Sequence, residues 1–165
     1  MSAFPETPYG PTDRVELDTV PLAVIRHDGL TIADLRDVFD RGYSAIGAAF
    51  ASGALTPAGP AIAAYYGNPM EIFSLELGFP VAEAPAEPIT TADGLVITAS
   101  ALPAGPATAT TALGSYEGLG AAWMGLVERT LAAGLTPRGI SIEVYVSDPG
   151  TAPESLRTDL LLPLA

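Results

Sequence analysis

The chain has 165 residues, 48% of them hydrophobic and 16% charged, which excludes a disordered polypeptide and suffices for one domain with a real core. The formal net charge is −12 and all seven basic residues are Arg, so the chain repels phosphate backbones and anionic membranes and shows no basic patch for direct nucleic-acid binding. Cysteine is absent, which removes disulfides, thiol catalysis and thiolate metal sites; with a single His, neither a metal site nor a cofactor is expected.

Residues 1–13 are polar and Pro-rich, without the basic and apolar regions of a signal peptide, and read as a flexible leader. No apolar run approaches a membrane span, so a cytoplasmic protein is expected. Residues 20–27 (VPLAVIRH) form a strand-like run ending at Asp28-Gly29, with His27 as a turn or strand-end residue. Ile32, Leu35, Phe39, Tyr43, Ile46 and Phe50 then recur at steps of three and four, the period of an amphipathic helix. Thr31 with Asp34 supplies a capping box, and Gly53 followed by Pro57 the stop. Strands are expected over residues 72–79 and 94–102, the latter bridging two halves, and over residues 107–113. A second helix follows from the stripe Leu119, Trp123, Leu126 or Val127, and Leu131, closed by Gly134 and Pro137. A last strand covers residues 158–162.

The chain is written twice. Leu55-Thr56-Pro57-Ala58-Gly59 matches Leu135-Thr136-Pro137-Arg138-Gly139, and the match continues without a gap. Ile62-Ala63-Ala64-Tyr65-Tyr66-Gly67-Asn68-Pro69 overlies Ile142-Glu143-Val144-Tyr145-Val146-Ser147-Asp148-Pro149. The offset exceeds any solenoid period and indicates a duplicated half-domain, strand–helix–strand–strand performed twice over about residues 14–82 and 93–165. The expected fold class is α+β, a mostly antiparallel sheet with two helices on one face and a ligand cleft on the other.

Alternation along the strands suggests which residues face that cleft. Phe73, Leu75, Leu77 and Phe79 are expected under the helices, leaving Ser74, Glu76 and Gly78 on the other face. The aliphatic Ile140, Ile142, Val144 and Val146 are likewise placed toward a helix, with Ser141, Glu143 and Tyr145 opposite. By the repeat, Tyr65 joins them. The helix-free face then holds Tyr65, Tyr145, Glu143 and Glu76, a set suited to a flat, apolar, cationic organic molecule. The pattern equally fits a solvated mid-strand Glu beside two strand-forming Tyr residues.

Several short motifs recur in a specific order. They are Tyr66-Gly67-Asn68-Pro69, Glu76-Leu77-Gly78-Phe79-Pro80-Val81, Leu102-Pro103-Ala104-Gly105, Gly114-Ser115-Tyr116-Glu117, Ala122-Trp123 and Glu143-Val144-Tyr145-Val146-Ser147-Asp148-Pro149. The series resembles the GyrI-like (gyrase-inhibitor-like) domain, the effector-binding domain of AraC-type and MerR-type bacterial regulators, from about Arg14 to the C-terminus. The resemblance implies a duplicated SHS2-type fold with a ligand cleft between the halves, and Glu143 as the buried acid that meets cationic ligands. Tyr145 follows it on the same face, and Tyr116 and Trp123 belong to the helix-start motifs, Trp123 as cleft wall or core. The position before the acid, often aromatic in relatives, is Ile142. No helix-turn-helix is expected on this chain, which implies a stand-alone domain.

The leading expectation is a binding protein that sequesters or senses a hydrophobic, cationic small molecule in multidrug binding. An alternative is a hydrolase of cyclopropane-type alkylating drugs, with Glu143 and Tyr145 as catalytic residues activating water. Third comes an acidic inhibitor of a topoisomerase, disfavoured because the acids are scattered. A monomer or weak homodimer is expected, with a protein partner as a further alternative.

Overall fold

The computed structural model describes residues 4–147 and 150–165, so Asp148-Pro149 of the repeated segment and the first three residues of the leader lie outside the described residues. The elements are β1 (Asp13–Leu17), β2 (Val20–Leu30), α1 (Leu35–Ala51), β3 (Ala61–Tyr66), β4 (Phe73–Pro80), β5 (Ile89–Thr90), β6 (Val96–Leu102), β7 (Gly105–Leu113), α2 (Leu119–Ala132), β8 (Ile140–Tyr145) and β9 (Arg157–Pro163). The fold is α+β, and strand pairs within each unit are antiparallel. Contacts divide the chain into two compact units, residues 19–102 and residues 4–18 with 103–165.

In the contiguous unit β4 pairs with β3 on one side and β2 on the other, and β2 continues to β6 and β5. The strand that was expected to bridge the halves, β6, thus belongs wholly to this unit. α1 begins as the sequence indicates: the Thr31 N–H donates to Asp34 Oδ2 at 2.9 Å, after which a 3-10 turn (Ile32–Asp34) leads into the helix. Its buried positions are Gly42, Ala45, Ile46 and Ala49, so small side chains let it lie close to the sheet. A Cβ on Gly42 would stand 2.4 Å from a methyl of Leu77. Phe79 packs edge-on against Tyr43 and Phe50, at 5.7 and 5.0 Å between centroids. Phe73, Leu75, Leu77 and Phe79 therefore share the α1 side, as their alternation requires. β2 does not stop at His27; it runs on to Leu30, with a register shift after His27 opposite Leu75.

In the other unit the order is β1-β7-β9-β8. β1 was absent from the sequence reading, although Val15 and Leu17 alternate with Arg14 and Glu16 and are both buried. α2 lies over Leu160 and Leu162 of β9, which pack with Leu126 while Leu119, Ala122, Trp123 and Val127 close around them. On the same side of the sheet Thr108 and Thr130 of α2 satisfy each other, hydroxyl to hydroxyl, at 2.8 Å.

The opposite face of this sheet carries Thr111, Arg157 and Asp159, and the leader is tied there. Arg157 donates to the carbonyls of Pro5, Glu6 and Thr7, and the Tyr9 N–H donates to Thr111 Oγ1 at 2.8 Å. Arg129 donates to the Pro11 carbonyl and the Thr12 hydroxyl.

The Tyr9 hydroxyl is buried with no hydrogen-bond partner among the described residues. Burial, followed by the nearby Asp159 charge, pushes it from its usual 10.0 up to about 12. The neutral phenol is thus favoured in the folded state. Its contribution is complete below about pH 10, where unfolded Tyr also holds its proton, and is lost as pH rises through about 12. Urea midpoints should fall between those values. In Tyr9→Phe this part of the fall should disappear, with stability at pH 7 equal or higher because an unmade buried hydrogen bond is removed.

Candidate functional site

Glu143 sits in the middle of β8, and the register sets its direction. It stands opposite Leu160, and Tyr145 stands opposite Thr158. Directly opposed residues of an antiparallel pair project from the same face. Since Leu160 packs under α2, Glu143 and Tyr145 face α2 as well. This corrects the expectation that they occupy a helix-free face. Ile142, Val144 and Leu161 point the other way and are also fully buried. With apolar residues on both faces, alternation identifies two sets without saying which lies beneath the helix.

Four of the sequence-derived candidates come together here. Glu143 is 6% exposed. Its Oε2 accepts the indole N–H of Trp123 at 2.8 Å, and its Oε1 accepts the Tyr145 hydroxyl at 2.6 Å. Tyr116, in the 3-10 turn (Tyr116–Gly118) before α2, is half exposed and meets the Tyr145 ring edge-on at 5.9 Å. The Trp123 ring packs on the Leu126–Leu160–Leu162 cluster, as its core reading requires, and its N–H reaches the acid.

A carboxylate held this way sits among apolar groups, where an opposite charge is attracted more strongly than in water. Trp123 and Tyr145 orient it, both being neutral donors.

Tyr65 and Glu76 lie in the other unit, on opposite faces of its sheet. Tyr65 stands opposite Leu75 on the α1 side, its ring 5.6 Å from that of Phe73. This too reverses its expected position, and for the same reason: Ala63 and Ala64 on either face of β3 are both buried. Glu76 does occupy the face away from α1, opposite Arg26 and Ala64. There it pairs with Arg26 at 3.2 Å and accepts the hydroxyls of Tyr66 at 3.3 Å and Ser100 at 2.7 Å. The Arg26 guanidinium lies over the Tyr66 ring, 5.3 Å from its centroid. The combination of ring and carboxylate that suits an organic cation is filled here by the chain's own arginine. Tyr66 is the tyrosine that shares the Glu76 face. Only the pairing register distinguishes it from Tyr65, which the one-strand pattern cannot supply.

Among the described residues no three His, Asp or Glu side chains group as metal ligands, and no helix is long and apolar enough to cross a membrane.

No curated protein matches the chain by sequence. Solved structures do. The C-terminal domain of EcmrR superposes with a TM-score of 0.73 at 15% identity, over 93% of this chain and 96% of that one. SAV2435 bound to tetraphenylphosphonium gives 0.67 at 13% identity, over 93% of each chain. A hydrolase from Listeria innocua gives 0.61 at 11% identity, over 97% of this chain and 94% of that one. At such identities these likenesses establish the fold. A family model describing the GyrI-like small molecule binding domain matches residues 15–165, nearly the whole length. The chain belongs to the GyrI-like small-molecule-binding domain family.

Proposed function

We propose that the chain binds a hydrophobic organic cation, with Glu143 as the acidic contact and Tyr145, Tyr116 and Trp123 as aromatic walls. The observation that carries this reading is a carboxylate 6% exposed, oriented by two aromatic donors and set among apolar side chains. A cation with spread-out charge loses little hydration on entering such a place and gains both the carboxylate and the rings. The family is one of small-molecule binders, and a protein of the same fold was captured with tetraphenylphosphonium.

The test is calorimetric titration of wild type and Glu143→Gln with tetraphenylphosphonium. Gln keeps an oxygen for the Trp123 N–H, and its amide can donate to a reversed Tyr145 hydroxyl, so the fold should survive. The affinity should drop about 10- to 100-fold, roughly 1.4–2.8 kcal/mol, the scale of the Coulomb attraction between opposite charges about 6 Å apart at an effective dielectric constant near 20. Equal affinities in the two proteins would remove Glu143 from the reading.

A second reading rests on the 2.6 Å contact between Tyr145 and Glu143. A carboxylate and a phenol this close can pass a proton, which suits hydrolysis of a strained electrophile by a water held at Glu143. Mass spectrometry of cyclopropane-bearing alkylators incubated with the protein separates holding from hydrolysis.

A further inference from the structure

We propose that Thr158 is a specificity-determining residue of this site, and that the preferred ligand is a hydrophobic cation carrying a hydrogen-bonding group. The proposal rests on the binding role assigned to Glu143 above. Thr158 lies on β9 directly opposite Tyr145. It alternates with Leu160 and Leu162, so its side chain is on the α2 side, the face that Glu143 shares. It is 1% exposed, and its Oγ1 has no hydrogen-bond partner among the described residues.

A buried hydroxyl left unpaired costs free energy that a valine of the same shape avoids. The same sheet face shows how such a hydroxyl is normally settled, since Thr108 finds Thr130 at 2.8 Å. Thr158 has no such protein partner among the described residues, and its cross-strand neighbour Tyr145 is the residue that donates to Glu143. A ligand that seats its charge beside Glu143 Oε1 meets the Tyr145 side chain, whose hydroxyl donates to that oxygen. Where the ligand moves the Tyr145 side chain aside, its direct cross-strand neighbour Thr158 comes within reach. A ligand that brings a donor or acceptor to this point recovers the missing hydrogen bond. A purely hydrocarbon cation does not.

The probes are tetraphenylphosphonium and its three monohydroxylated derivatives, with one phenolic hydroxyl ortho, meta or para, all used as the cation and nearly matched in size. Titration calorimetry would compare wild type with Thr158→Val and Thr158→Ser, with folding checked by circular dichroism. Wild type should prefer at least one hydroxylated isomer by about 5- to 10-fold, the fold-change of one ordinary hydrogen bond. Thr158→Ser should keep that preference and Thr158→Val should lose it, while tetraphenylphosphonium itself binds Thr158→Val at least as tightly as wild type. A preference that persists in Thr158→Val, or is absent from wild type while tetraphenylphosphonium still binds through Glu143, overturns the assignment of Thr158 alone. Failure of every phosphonium to bind wild type overturns it together with the cation-site reading.

Discussion

Gly78→Ala should destabilise the protein by about 3 kcal/mol or more, although a methyl group is all that it adds. Gly78 lies in β4 opposite Val24 of β2 and Ile62 of β3, between two strands of the contiguous unit. A Cβ there would stand 2.0 Å from the Ala23 carbonyl oxygen and 2.8 Å from Val24 Cα. Both are backbone atoms, so relief requires parting of the β2–β4 pair. The contrast is Gly42, where the added methyl meets the movable end of Leu77. A loss of this size is a large share of the roughly 5–15 kcal/mol that holds a domain folded. In urea the midpoint should fall by about 1.5 M at a slope near 2 kcal/mol/M. A change below about 0.5 M would mean that the strands can separate locally at little cost.

Arg157→Met should cost about 3–5 kcal/mol, for an electrostatic reason. The guanidinium holds Asp159 through Nη2–Oδ2 at 2.9 Å and Nε–Oδ1 at 3.0 Å, with the side chains 13% and 0% exposed. Removing the cation leaves a carboxylate in the interior, where the Thr111 hydroxyl donates to it at 2.8 Å but brings no charge. The variant also releases the carbonyls of Pro5, Glu6 and Thr7. The double variant Arg157→Met/Asp159→Leu should recover most of the loss, because a buried pair exchanged for apolar groups is close to neutral. Chemical denaturation of the two single variants and the double variant closes the cycle. If Arg157→Met alone costs under about 1 kcal/mol, the pair contributes little and the leader is held by other contacts.

Much of the architecture was legible because it depends on local pattern. The Thr31–Asp34 cap and the three-and-four spacing through Phe50 locate α1, and the matched Leu-Thr-Pro segments reveal the duplication. In β4 the alternation worked because one face is polar: Ser74 and Glu76 could only be away from α1. It failed for β3 and β8, whose two faces are both buried, and so misplaced Tyr65, Glu143 and Tyr145 relative to the helices. Their equivalence under the repeat survived, since both tyrosines face their own unit's helix. The contacts of Glu143 with Trp123 depend on how α2 sits on β9, a packing outcome with no local signature. The Arg157–Asp159 pair did leave a trace, an Asp flanked by Thr158 and three leucines in a strand-like run, where a buried charge must find a partner.

The interleaving of the two units bears on how the chain folds as it is made. Residues 19–102 form a contiguous stretch whose β2–β4, β2–β6, β3–β4 and β5–β6 pairs can all form once Leu102 has been added. The other unit is assembled from the two ends: β1 must wait for β7, and the leader carbonyls wait about 150 positions for Arg157. Closing that long loop is slow but thermodynamically mild, because the entropy of closure grows only logarithmically with length. Synthesis from the ribosome therefore completes the middle of the chain first, with the unit that carries Glu143 following only after the last strand emerges.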